Sequence, residues 1–341
     1  MLSNKKNNTD ITITLLHVAG MLMIFLCHSM QAEKIYALSE ILISGVPLFL
    51  FVSGCLAARR NIDSTCKWWF GKAKRVLLPL MLFVTIIYGV YEIAGVVEIT
   101  PFQWIFTLCN LQGLNYTYWK FGYFGAVPGC GHLWFITTLM FCYLLVPLAQ
   151  IIKNKNVSLS KLAKFALVFG VLGIQLGLMY LGFQLSYIIT FFFGYFLSGS
   201  ENQSNSPRFA FVTIATVLIC GARLALKKFI DGSDFYDRYF ALISAAFIAV
   251  WLFYFVRFLR DKFPRLIKAM NNPVIIFTER ISFYFYLTHY IFLTGPAMVF
   301  GYIENRLLAH LAAFVLSYVS ATAFCLIVEK GLLKILDRRK T

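Results

Sequence analysis

The sequence predicts an all-α protein, a polytopic membrane bundle of about ten transmembrane helices with both termini in the cytoplasm. Its composition is too apolar for a soluble globule, since 60% of the 341 residues are hydrophobic and the mean hydropathy is +0.73. Apolar segments of about 20 residues, the length that crosses about 30 Å of hydrocarbon, recur along the whole chain. The basic residues gather in alternate connections between these segments.

Ten segments are long and apolar enough to be predicted as spans, although the sixth is short. The first is too long for the core of a signal peptide, and no small-residue cleavage site follows it, so we expect it to be retained. No appended soluble module is evident, and residues 1–341 are predicted to form a single membrane domain. The predicted spans cover residues 11–31, 38–58, 76–96, 133–152, 162–181, 184–199, 209–226, 239–256, 281–302 and 308–328.

The net charge of +16 is distributed in a way that indicates membrane topology rather than nucleic-acid binding. When the connections are numbered from a cytoplasmic N terminus, the cytoplasmic ones hold most of the 31 Lys and Arg residues. This positive-inside pattern predicts cytoplasmic termini and attraction to anionic lipids. We therefore expect membrane lipids among the partners and no nucleic acid.

The first predicted span carries two histidines, His17 and His28. Ionisable side chains inside a membrane are costly, and they indicate a functional site by default. Eleven residues are close to three helical turns, so the two imidazoles point the same way, about 16 Å apart along the axis. An imidazole exchanges a proton near neutral pH, which suits a general base. The alternative is that both rings are buried and bonded to backbone or hydroxyl groups of neighbouring helices.

Two connections have compositions that point to ligands. Residues 59–75, predicted as a basic cytoplasmic loop, hold six Lys and Arg residues around three aromatic ones. Such cations suit phosphates, but an amphipathic stretch lying on the bilayer has the same composition. Residues 97–132, predicted as an extracytoplasmic loop, are rich in aromatic residues, which suit either sugar rings or the membrane interface. Cys109 and Cys130 share this loop and can pair if that side is oxidising. No Cys and His spacing indicates a metal site.

Further polar or small residues lie within the spans or at their ends. A Ser-Gly pair closes the GVPLFLFVSG segment at 45–54, where small residues allow close helix approach. HLWF at 132–135 opens the fourth span, YLTH at 286–289 falls near the middle of the ninth, and VEK at 328–330 closes the tenth. The candidate residues in these motifs are Ser53, His132, Trp134, Tyr286, His289 and Glu329.

Taken together, these motifs resemble the acyltransferase-3 family of integral membrane acyltransferases. The resemblance rests on the first-span histidine followed by GVPLFLFVSG, the KRVLLP element at 74–79, HLWF, YLTH and the terminal VEK. It covers essentially the whole chain, and the order and spacing of the motifs carry it more than any single motif. The family moves acyl groups, commonly acetyl, from cytoplasmic acyl-CoA to hydroxyl or amino groups of envelope carbohydrates.

The resemblance implies a multi-pass O-acetyltransferase of the inner (plasma) membrane. Its acceptor would be a hydroxyl of an envelope carbohydrate or a lipid-linked glycan. Acetyl-CoA or another acyl-CoA would be the co-substrate, with no tightly bound cofactor and no metal. His28 matches the family's first-span histidine and is the candidate general base, with His17 and His289 as further catalytic candidates. The candidates for binding the phosphates of acyl-CoA are Arg59, Arg60, Lys74 and Arg75. Those for a substrate-binding or structural role are Ser53, His132, Trp134, Tyr286 and Glu329.

One position departs from the family's pattern. The family usually carries Arg where this chain has His17, and an imidazole lacks the fixed charge and bidentate fork of a guanidinium. Two other functions therefore stay open: an exporter or flippase of a polysaccharide or its lipid-linked precursor, and a membrane sensor that keeps the fold without the chemistry. A transporter should show paired broken helices. The charges here cluster on a few segments instead, which favours the enzyme.

Overall fold

The computed structural model describes residues 10–114, 127–154, 170, 172–178, 180–181, 185–197, 206–229 and 234–334. These residues form an all-α protein, as predicted. It has twelve helices that we number, and residues 172–178 are also helical. Short 3₁₀ helices at Gln112–Leu114, Gly131–Leu133 and Val299–Gly301 join them, and a π-helix at Ile327–Leu333 extends the last one. The twelve are α1 Ile11–Ala32, α2 Tyr36–Leu42, α3 Gly45–Ala58, α4 Thr65–Ile93, α5 Pro101–Leu108, α6 Trp134–Asn154, α7 Ile188–Leu197, α8 Ser206–Phe229, α9 Asp234–Lys262, α10 Pro264–Met270, α11 Pro273–Thr294 and α12 Arg306–Leu326.

Seven segments of the described chain are helical, long and apolar enough to cross a membrane, and each corresponds to a predicted span. Half of the fifth predicted span, 162–181, lies outside the described residues. The sixth, 184–199, contains α7, an apolar helix of only 10 residues. The seven are Ile11–Ala32, Leu38–Ala58, Thr65–Ile93, Gly131–Lys153, Pro207–Leu226, Phe240–Lys262 and Arg306–Gly331.

Helix α4 begins well before the predicted third span and shortens the predicted basic loop at 59–75. The side chain of Ser64 accepts a hydrogen bond from the Lys67 backbone N–H, so a helix of 29 residues starts at Thr65. Two side chains of this first part contact α6: Trp68 donates its indole N–H to the Tyr143 carbonyl, and the Lys72 ammonium lies over the Tyr143 ring. Trp69 and Phe70 are exposed. The connection after α3 is therefore limited to residues 59–64.

The ninth predicted span, 281–302, was placed eight residues too late, because helix α11 covers Pro273–Thr294. It begins at Pro273, after Asn272 caps it by accepting the Ile275 N–H, and it ends before Gly295. A polar cap and a proline at the first position are ordinary helix starts, but hydropathy does not detect them. His289 therefore lies five residues from the end of α11 rather than near its middle.

Ion pairs gather several chain segments at one end of the bundle, which we call the basic end. Arg59, just after α3, donates to the carboxylate of Asp10, just before α1, at 2.6 Å. Burial alone would raise the pKa of Asp10, but the hydrogen bond and charge of Arg59 outweigh it and hold this pKa below its ordinary value. Arg280 near the start of α11 pairs with Glu329 in the π-helix after α12.

Another ion pair lies at the opposite end, which we call the histidine end. Glu33, just after α1, pairs with Arg306 at the start of α12, at 3.1 Å. The 3₁₀ helix Gly131–Leu133 and the start of α6 belong to this end, as does the end of α11. Because α1 and α11 both run from the basic end to the histidine end, these two helices are parallel.

Helices α3 and α7 pack backbone to backbone through two glycines. A Cβ on Gly54 would lie 1.9 Å from the Phe191 carbonyl oxygen, and a Cβ on Gly194 would lie 2.0 Å from that of Phe51. Neither position tolerates a side chain without a shift of the backbone. The Cys55 thiol adds a hydrogen bond to the Gly194 carbonyl at 3.3 Å. The close helix approach predicted at Ser53-Gly54 is confirmed.

Candidate active site

Three imidazoles from three separate chain segments meet at the histidine end. His28 is on α1, His132 is in the 3₁₀ helix before α6, and His289 is on α11. The ring centroids of His28 and His289 are 5.5 Å apart, and those of His132 and His289 are 5.0 Å apart. The ring of Tyr290 contacts both His28 and His132, at 4.6 and 4.9 Å.

The segment before α6 is shaped so that His132 reaches this cluster. Gly129 has a φ of +79°, which disfavours other residues. A Cβ there would lie 3.2 Å from the Cα of Gly295 and of Ile291, so the chain passes directly over the end of α11. The Tyr286 hydroxyl then donates a hydrogen bond to the His132 carbonyl. The sequence motifs HLWF and YLTH thus meet in space.

Hydrogen bonds fix the orientation of two of the rings. Nδ1 of His28 lies 2.9 Å from the side-chain oxygen of Gln31, and Nδ1 of His289 lies 2.8 Å from the Tyr286 carbonyl. Because both oxygens only accept, each Nδ1 carries the proton. When these imidazoles are neutral, each Nε2 is a bare lone pair. This is the tautomer that a general base needs.

His132 differs from the other two histidines. Its side chain is buried, and neither ring nitrogen meets a hydrogen-bond partner of good geometry among the described residues. Nε2 of His289 likewise has no hydrogen-bond partner of good geometry among the described residues. Buried polar groups are normally paired, and exceptions are typical of functional sites.

A cavity of about 200 Å³ lies against this cluster. His28, Gln31 and His132 provide its polar lining, together with Tyr286, and Trp134 and Phe135 form part of its aromatic wall. A mostly apolar pocket with a few convergent polar groups is the usual form of a small-molecule site.

His17, the other catalytic candidate on α1, does not join the cluster. Its Nδ1 lies 3.1 Å from a carboxylate oxygen of Glu279 on α11, and its ring stacks on Phe49 at 5.6 Å. The helical rise places it about 16 Å from His28 along α1. The prediction that both rings lie on one face is confirmed, because both face α11, but they occupy different depths.

The four candidates for acyl-CoA binding do not line the histidine cavity. Arg59 pairs with Asp10, about 27 Å from His28 along α1 by the helical rise. Arg60 and Arg75 are exposed, and Lys74 is half-buried on α4. They belong to the basic end, so the structure separates them from the imidazoles.

Lys72, which was not among the candidates from the sequence, lies closer to the imidazoles, on the inner side of that basic cluster. Lys72 Nζ lies 4.0 Å from the ring centroid of Tyr143 and 4.6 Å from that of Trp68. Arg60 and Arg75 are near enough to interact with its charge. Eleven residues of chain separate Tyr143 from His132, about 16 Å at the helical rise.

The remaining candidate site residues are divided between the histidine cavity and the basic end. Tyr286 and Trp134 belong to the histidine cavity, as does His132. Ser53 is within hydrogen-bonding reach of Tyr143, beside Lys72. Glu329 pairs with Arg280 at the basic end. Cys109 is exposed and Cys130 is buried, and the two are not bonded.

Sequence reasoning missed Gln31, Lys72 and Glu279. The first two carried a usable signal, because Gln31 is one helical turn after His28 and Lys72 is one turn after Trp68. Glu279 carried no usable signal, because next to Arg280 it resembles the polar boundary of a span. In the part of the chain that the structure describes, no group of three or more His, Cys, Asp or Glu side chains is arranged to hold a metal ion.

The fold and the site define a class: a polytopic helical membrane protein with a cluster of imidazoles, two buried and one half-buried, beside a cavity at one end. The profile of the family described as Acyltransferase domain matches residues 11–330, and the chain belongs to this acyltransferase-3 family of membrane acyltransferases. Comparison with curated proteins and with solved structures finds no match.

Proposed function

We propose that this protein transfers an acetyl group from acyl-CoA to a hydroxyl of an envelope carbohydrate or a lipid-linked glycan. The observation that carries the proposal is the meeting of His28, His132 and His289 next to a cavity lined by the first two. Both ring nitrogens of His132 and Nε2 of His289 have no hydrogen-bond partner of good geometry among the described residues. Family membership supports the acyl-transfer class. The acceptor and the acyl group are the parts proposed.

In this proposal, the bare Nε2 of His28 takes the proton of the acceptor hydroxyl while its oxygen attacks the thioester carbonyl. The new C–O bond forms, the carbonyl electron pair moves to oxygen, and an N–H of His132 stabilises the oxyanion. The intermediate then collapses with cleavage of the C–S bond, and protonated His28 returns its proton to the departing thiolate. Histidine accounts for both proton transfers, so no covalent acyl-enzyme is required.

The donor would bind with its phosphates at the basic end. Lys72, Arg60 and Arg75 supply three cations near Trp68 and Tyr143, and cations with aromatic faces suit a phosphorylated nucleotide. The thioester would then lie about 16 Å deeper, at the histidine cavity. Because the phosphates stay at the basic end, the donor must bind in an extended form.

The proposed topology places the basic end in the cytoplasm, with ten spans and both termini on that side. The concentration of Lys and Arg at this end supports it. The histidine cavity would then face the outer half of the inner (plasma) membrane, near the extracytoplasmic connection at 97–132. Acyl groups from cytoplasmic acyl-CoA would reach an acceptor assembled on the other side.

The test is transfer of label from radiolabelled acetyl-CoA to envelope glycans, in membranes that carry wild-type protein or a variant. We expect transfer with wild type and none with His28→Ala. His310→Ala is the matched control. His310 is also a half-buried histidine at the histidine end, but it contacts Ser29 outside the cavity lining and should leave transfer unchanged.

Equal transfer by wild type and His28→Ala would overturn the role of His28. Absence of label from all glycans, together with glycan appearing outside intact cells only when the protein is present, would replace the enzyme with an exporter.

A further inference from the structure

The pair formed by His17 and Glu279 lies outside the proposed catalytic cluster, yet it joins the same two helices. His17 Nδ1 is 3.1 Å from the Glu279 carboxylate, and both side chains are mostly buried, with 12% and 27% of their surfaces exposed. The Phe49 ring stacks against the imidazole on its other side. Polar pairs in such surroundings are directional, since each partner loses its only strong interaction if the other moves away.

The spacing along the two helices links this pair to the cluster. His28 follows His17 by eleven residues on α1, and Tyr290 follows Glu279 by eleven residues on α11. His28 and Tyr290 contact each other at 4.6 Å, while Phe25 and Phe285 meet edge to face between the two levels. The helices therefore run parallel and in register, with one polar contact about three turns below the imidazoles.

Between these levels α1 and α11 meet through aromatic rings such as those of Phe25 and Phe285. Within a bilayer, packing of side chains brings helices together, and polar contacts add direction to it. A rotation of α1 by one residue would turn His28 away from His289 by about 100°. The His17–Glu279 hydrogen bond opposes this rotation within the contact of α1 with α11, and the ion pairs of Asp10 and Glu33 hold the two ends of α1 to other parts of the chain. A misplacement of about 1 Å is enough to cost about 100-fold in rate.

We propose that Glu279 is a positioning residue, which holds His17 and thereby fixes the register of α1 against α11 that brings His28 to the reacting groups. This inference rests on the proposed function only for its kinetic part. The registration of the helices is a separate physical claim, and it can be measured without any acyl transfer.

The kinetic test compares Glu279→Leu with Glu33→Leu, because leucine, unlike glutamine, leaves no acceptor oxygen for the partner. Both replace one carboxylate that pairs α1 with a neighbouring helix, but the partner of Glu33 is Arg306, whose side chain is 64% exposed. We expect Glu279→Leu to lower kcat about tenfold or more, with the KM for acetyl-CoA unchanged, because the donor would not touch the pair. Glu33→Leu should leave both constants unchanged. Exchange of the two residues, His17→Glu with Glu279→His, should restore most of the lost kcat.

The structural test uses a disulfide between Phe25→Cys and Phe285→Cys, introduced where these neighbouring rings contact. It should form readily in the otherwise wild-type chain. It should form poorly with Glu279→Leu and recover in the exchange variant. If Glu279→Leu fails to fold, the exchange variant alone decides the matter through its disulfide and its activity.

Each other outcome overturns the inference in a distinct way. Wild-type kcat in Glu279→Leu shows that the pair positions nothing. A raised KM with unchanged kcat makes Glu279 a donor contact. Equal disulfide formation with and without Glu279 removes the role in registration. If no variant and no wild-type membrane transfers label while the disulfide still depends on Glu279, the proposed function fails and the positioning role stands.

Discussion

Gln31 is the residue on which the tautomer of His28 depends. Its side-chain oxygen accepts a hydrogen bond from the Nδ1 N–H and leaves Nε2 bare, so it orients the base as a carboxylate does in a catalytic triad. We expect Gln31→Leu to lower kcat about 10- to 100-fold, part of the 10²–10⁴-fold contribution of a general base. Gln31→Glu keeps an acceptor and should retain more activity. Steady-state kinetics on both variants checks this, and equal activities would mean that the hydrogen bond is dispensable.

Lys72 is the corresponding residue for the donor. Its ammonium lies against two aromatic rings with two further cations nearby, an arrangement that a phosphate would stabilise. We expect Lys72→Met to raise the KM for acetyl-CoA about tenfold and to change kcat little, since phosphate contacts act in ground and transition states alike. Lys67→Met, on the exposed part of the same helix, is the control. An unchanged KM with Lys72→Met would remove this cluster from the donor site.

At the scale of elements, the α3–α7 contact should be the least tolerant of added volume. A methyl group on Gly54 has no space beside the Phe191 carbonyl, and overpacking typically costs about 1–3 kcal/mol. Gly54→Ala should therefore lower the thermal midpoint in detergent by several degrees. Gly89→Ala, in a helix position with open space around it, should be neutral or stabilising by up to about 1 kcal/mol. A stable Gly54→Ala protein would mean that α3 and α7 separate easily.

The sequence alone was sufficient to predict the helices that are marked by a long apolar run. Spans such as 11–31 and 133–152 agree with helices α1 and α6 to within a residue or two, because burial in lipid requires an apolar run. The span 38–58 instead divides into α2 and α3. The predicted bounds of α4 and α11 were wrong because Ser64 and Asn272 set where these helices start, and hydropathy does not detect such caps. For the site, a single sequence shows that His28 and His289 are unusual. It cannot show that Gly129 brings His132 to them, because that contact joins distant parts of the chain.

At the scale of the whole molecule, the two ends differ in charge, and this difference predicts orientation. Two native cysteines report on it, since Cys66 is exposed at the start of α4 and Cys109 is exposed after α5. The proposed topology puts the first in the cytoplasm and the second outside. Variants that keep only one of these cysteines can be treated with a membrane-impermeant maleimide, before and after permeabilisation.

Cys109 should be labelled in intact cells, and Cys66 only after the membrane is opened. Two spans lie between the start of α1 and Cys66, so labelling of Cys66 also reports the side of the N-terminal end of α1. Labelling of Cys66 in intact cells, with Cys109 protected, would invert the molecule and place the histidine cavity on the cytoplasmic side. The donor would then reach the imidazoles directly, and the 16 Å separation between Lys72 and the cavity would lose its role in carrying acyl groups across the bilayer.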